Sequence, residues 1–145
     1  MNSVISATTG AVYGAVPAAS RGENFLGAAR ALLSEAYAYL GAEQPDLALE
    51  SAYRAALRTA GAVLANSPVI AKRKRLPTSA WAKLILTGVR GAYWADVFEG
   101  YSRLRGRVSS GIELKPDATT VAELVDRAAE FYAEVAGEAP GMAAA

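Results

Sequence analysis

Between Ser20 and Gly137 the apolar residues recur three and four positions apart, run after run, and this spacing decides what the chain can become. Residues so spaced share one face of an α-helix, whereas a half-buried strand needs strict alternation. Phe25, Ala29, Leu32, Leu33, Ala36, Tyr39 and Leu40 form the first stripe, and Leu49, Tyr53, Ala56, Leu57, Ala60, Val63 and Leu64 the second. Trp81, Leu84, Ile85 and Val89 begin a third, which Trp94, Val97, Phe98, Tyr101 and Leu104 continue. Val121, Leu124, Val125, Ala128, Phe131, Tyr132 and Val135 make the last. The predicted fold class is all-α, an up-and-down bundle of four to five helices. Alanine supplies 33 of the 145 residues, which favours helix and lets helices pack closely.

Local signals set the boundaries. Ser20 and Glu23 have the spacing of a capping box, predicting a first helix over 22–40 that stops at Gly41. Pro45 suits a first helical turn, and the second helix ends before Asn66-Ser67-Pro68. Pro77 and Thr78 open the third helical stretch, with Thr78 as its N-cap, and Gly88 and Gly91 break that stretch into two short helices. Arg107 to Ala118 reads as a loop by composition. Thr120 and Glu123 form a second capping box for a final helix closed near Gly137. The domain organisation is therefore one bundle over 22–137, a disordered or loosely docked arm at 1–21 and a flexible tail at 138–145.

The arm lacks a basic start and is broken by Gly10, Gly14 and Pro17, so it does not read as a secretory signal. No unbroken apolar run reaches the roughly 18 residues expected of a membrane span. A cytoplasmic location without membrane contact is expected, in keeping with the absence of cysteine.

The chain also contains no histidine, so the usual general base and the favoured transition-metal ligands are missing. Glu123, Asp126, Glu130 and Glu134 follow one face of the last helix, as a di-metal site would require. Without histidines they read as a solvated outer face, and no metal or cofactor is predicted. The stretch GVRGAYW lacks the ending and the preceding strand of a phosphate-binding loop.

Charge is unevenly placed on this nearly neutral chain. Residues 72–107 carry nine cations against two anions, and residues 108–145 two against seven. Lys72, Arg73, Lys74 and Arg75 are consecutive. They read as a solvated loop, a contact for nucleic acid, or a contact for an acidic protein, and the acidic last helix could lie beside them and neutralise part of their field. Trp81, Trp94, Phe98 and Tyr101 have the spacing of buried faces, which favours core or subunit interface over base stacking. Arg103, Arg105 and Arg107 near a helix end offset its dipole.

Ala56-Leu57-Arg58 and Ala62-Val63-Leu64, the cations at 72–75, Ser79-Ala80-Trp81 with Leu84, and the Trp94 and Phe98 pair form a recognisable order. Over residues 23–136 the chain resembles the actinobacterial SAV_6107-like branch of the HEPN superfamily. The resemblance implies a compact bundle of four to five helices that commonly forms homodimers. Many HEPN proteins cleave RNA with an arginine followed four to six residues later by a histidine. No arginine here, Arg90 and Arg107 included, completes that motif. The expectation is a non-catalytic, dimeric domain binding RNA or DNA through Lys72, Arg73, Lys74 and Arg75, helped by Lys83 and Arg90. The alternatives are a protein-interaction or regulatory module without nucleic-acid binding, and an enzyme of unidentified chemistry.

Overall fold

The computed structural model describes residues 17–138. Among them are six helices and no strand: α1 (Ala18–Gly41), α2 (Pro45–Ala65), α3 (Pro68–Lys72), α4 (Ala80–Ile85), α5 (Val89–Ser109) and α6 (Ala118–Ala136). Most of the expected arm, and the tail beyond 138, lie outside the described residues.

α2 is the centre of the bundle and packs against all five other helices. Its buried residues include Ala48, Ala52, Ala55, Ala56, Ala60 and Ala62, with Leu49 and Tyr53. So many small side chains around one helix let its neighbours approach from several directions, and this explains the alanine content in structural terms. A three-residue connection, Ala42–Gln44, turns α1 back along α2, with the Gln44 N–H donating to the Tyr39 carbonyl at 2.9 Å. The expected αL stop at Gly41 is instead taken by Glu43, at φ 59°.

Three helix starts differ from the capping expectations. α1 begins after Pro17, whose carbonyl accepts from the Arg21 N–H at 3.0 Å, so Ser20 and Glu23 sit inside the helix. α6 is capped by Asp117, which accepts from the N–H and the hydroxyl of Thr120, both at 3.0 Å. Thr120 is thus a partner of the cap. α4 is capped by Ser79, one residue after Thr78, through a bond from the Ala82 N–H. In each case a competent start lies upstream or downstream of the matched spacing, and the helix follows it. The close of α6 at Gly137 agrees with expectation, the glycine holding φ 73°.

The break near Gly88 is real. Gly88 holds φ 133° and ψ −168°, a combination that is essentially glycine's alone. The helix after it is one long element: α5 runs on through Arg107 to Ser109, shortening the expected loop. Gly91 lets α5 leave α4 at close quarters, since a side-chain carbon there would collide with the Leu84 carbonyl and the Thr87 hydroxyl.

An aromatic column ties α4, α5 and α6 together. Trp81 stacks on Phe98 at 5.3 Å, Trp94 on Phe98 at 5.9 Å and Trp94 on Phe131 at 5.1 Å. Trp81, Trp94 and Phe98 are buried, as expected of core residues, while Tyr101 is half-buried against the core. Burial on this scale removes three of the four candidate rings from base stacking.

Candidate nucleic-acid interface

The four consecutive cations stand where two short helices meet. Ser67 caps α3 by accepting from the Ile70 N–H, and Pro68 occupies its first turn. This short helix had no counterpart in the apolar periodicity, and Ser67-Pro68 is the signal that could have revealed it. It carries the chain through Lys72 into extended backbone at Arg73, with φ −80° and ψ 137°. The loop ends at the Ser79 cap of α4.

Its far side is well anchored. Two residues beyond Ser79, the Trp81 indole N–H donates to the Tyr53 hydroxyl at 2.7 Å, with the rings edge to face. Lys72, Arg73, Lys74 and Arg75 are all exposed on this foundation. Arg73 Nε donates to the Arg75 carbonyl at 3.3 Å, which curls the loop on itself. Among the described residues no carboxylate forms an ion pair with any of the four.

The acidic face of α6 is engaged elsewhere. Glu134 takes both the Nε and a terminal nitrogen of Arg90, at 3.1 and 2.6 Å, and Glu130 pairs with Arg127. Asp126 accepts from the Tyr37 hydroxyl at 3.1 Å. Burial and this anionic neighbour push the Tyr37 phenol up to about 12. Glu123, Asp126, Glu130 and Glu134 are exposed, and among the described residues no group of three acids is placed to hold a metal ion. The suggested neutralisation of the loop by this helix is therefore not its arrangement.

Three of the four arginines of α5 are also partnered, while Arg103 is exposed and forms no ion pair among the described residues. Arg105 makes a two-pronged bond to Glu50 at 3.0 and 2.9 Å and lies over the Tyr53 ring at 4.7 Å. The bond holds the Glu50 carboxyl below its ordinary range, against partial burial. Arg107 pairs with Glu113 at 3.1 Å. Of the nine cations over 72–107, the four on the loop are the one run of adjacent charges without a carboxylate partner among the described residues, with Lys83 and Arg103 standing singly.

The remaining two predicted residues are carried by helices and not by the loop. Lys83 is on α4 and half-buried. Arg90, in the first turn of α5, lies over Tyr93 at 4.7 Å and faces a cleft of about 600 Å³. Ser67 and Pro68 form one wall of that cleft, so α3 connects it to the cationic loop. The other walls include Leu84, Gly88, Trp94 and Glu134. Trp94 is only 3% exposed, and its indole N–H has no hydrogen-bond partner among the described residues. The Arg90 bond, opposed by partial burial, holds the Glu134 carboxyl low, and the nearby Trp94 dipole assists without forming a bond of acceptable geometry. None of this was visible in the sequence, where Arg90 and Glu134 are 44 positions apart.

A family model described as SAV_6107-like HEPN matches residues 39–136. The match begins in the last turn of α1, later than residue 23, where the resemblance in sequence starts. No curated protein and no solved structure matches the chain.

Proposed function

The chain belongs to the SAV_6107-like HEPN family, and from that premise we propose that it is a non-catalytic, homodimeric domain that holds nucleic acid through the loop at 72–75. One observation carries the reading: four adjacent exposed cations share a loop, while three of the four other arginines of this region, at 90, 105 and 107, are tied to carboxylates and Arg103 stands alone. Phosphates are the ligands that such a cluster attracts, because each contact releases counterions from the polyanion. Lys83 and Arg90 are auxiliary, and Arg90 contributes least because Glu134 already occupies its fork. Bases have no exposed tryptophan to stack on, which favours backbone over sequence recognition.

The non-catalytic part rests on the absence of histidine. A guanidinium or ammonium stays protonated near neutrality and is a poor proton acceptor from an RNA hydroxyl. Labelled RNA, single-stranded DNA and duplex DNA titrated at low and moderate salt test the binding. Binding should weaken as salt rises, and no binding at low salt rejects the loop as a site. RNA incubated with the tag-free protein should stay intact, and turnover abolished by Arg90→Ala would contradict the reading. Sedimentation equilibrium should return a dimer mass.

A further inference from the structure

The cleft beside the loop carries an independent assignment. Gly88, Val89, Arg90 and Gly91 line it, and they are the N-cap and first turn of α5, a helix of 21 residues. No side chain caps this turn and no acid stands in it. The nearest hydroxyl is turned elsewhere, since Thr87 donates to the Leu84 carbonyl at 2.7 Å. The first N–H groups of α5 therefore lack intrahelical acceptors, and the helix dipole adds partial positive charge at the same end.

A second observation points to the same space. The Trp94 indole N–H is buried and unpartnered among the described residues, and Trp94 lines the cleft together with Glu134. Trp94 follows Arg90 by four positions, so both belong to one face of α5. A buried donor without an acceptor costs free energy that a ligand oxygen would recover. The opposite surfaces, Val63, Leu84 and Val135, are apolar.

We propose that this cleft binds a small phosphate monoester, its oxyanion held by the start of α5, the Arg90 guanidinium and the Trp94 N–H, its apolar body against Val63, Leu84 and Val135. The donors outnumber what the two oxygens of a carboxylate accept comfortably, and suit a tetrahedral dianion. Glu134 is the competing anion. Its side chain is 38% exposed, so the incoming phosphate displaces it from Arg90 into water. The assignment does not depend on nucleic acid at the loop.

The chain has two tryptophans, and the Trp81 N–H, already bonded to Tyr53, is an internal reference. The full chain, labelled with nitrogen-15, is titrated with phenyl phosphate, inorganic phosphate and phenol while both indole N–H resonances are followed, Trp94→Phe assigning them. Phenyl phosphate should move the Trp94 resonance saturably and leave Trp81 in place; inorganic phosphate should bind more weakly, and phenol should produce no such shift. Arg90→Gln should weaken phenyl phosphate about tenfold, with a fall in melting temperature of no more than a few degrees from the lost Glu134 pair. Replacing Lys72, Arg73, Lys74 and Arg75 by alanine should leave the titration in place. No saturable shift, equal movement of both resonances, an equal response to phenol, or loss of the shift in the loop variant would overturn the assignment. A native chain that shows the shift but binds no RNA at low salt would sink the loop reading alone.

Discussion

The cations at 72–75 and the arginines of α5 belong to the same positive block of sequence, yet they do different work. Arg90 and Arg105 join α5 to α6 and α2 through Glu134 and Glu50, Arg105 also covers an aromatic ring, and Arg107 ties the end of α5 to Glu113 in the following loop. Arg103 alone of the α5 arginines is exposed without an ion pair among the described residues. Lys72, Arg73, Lys74 and Arg75 meet none among the described residues and face solvent. Positive charge in a sequence is therefore a poor guide to a binding surface until its partners are known. Pairing separates structural charge from available charge.

That separation can be broken most sharply by removing the loop charges together. The quadruple alanine variant should lose most RNA affinity, by about fifty-fold or more at low salt. Its thermal midpoint should stay within about a degree, because exposed unpaired charges contribute little to folding. A large drop in melting temperature would show that the loop is structural. Gly91→Ala attacks the frame instead: the added carbon meets the Leu84 backbone, and overpacking of this kind costs about 1–3 kcal/mol in denaturant unfolding.

Arg105→Ala supplies the converse of the loop variant. It should destabilise the fold by about 1 kcal/mol, through the lost two-pronged bond and lost cover over Tyr53, while RNA affinity changes little. Equal losses of affinity in both variants would erase the distinction. Acid provides the smallest effect. Glu50 and Glu134 have carboxyls held below their ordinary range, so their contribution is present above about pH 4 and disappears as pH falls through the lowered values. Solvent screening keeps it below about 1 kcal/mol per pair. Glu50→Gln should flatten this acid limb in a urea series between about pH 5 and 3.

The sequence conveyed the bundle well because helices are local. The stripes through Leu49 and Tyr53, or Leu124 and Phe131, place buried faces without knowledge of any partner. Helix ends were less legible. The spacing of Ser20 with Glu23 and of Thr120 with Glu123 also occurs inside helices, where Pro17 and Asp117 have already started them. The loop at 72–75 was legible as charge but not as available charge, since Glu50 and Glu134 are close to α5 only in the fold. The cleft was illegible for the same reason. Gly88 announced a break, but the orphaned Trp94 N–H and the Arg90 pairing depend on α6.

The salt dependence of RNA binding tests the central claim most directly. Four phosphate contacts on a single strand predict a slope of log affinity against log salt of about −2.8, or roughly fifty-fold weaker binding from about 50 to 200 mM salt. The account predicts that slope for the native chain and a nearly flat line for the quadruple alanine variant. The same steep slope in both proteins would contradict it.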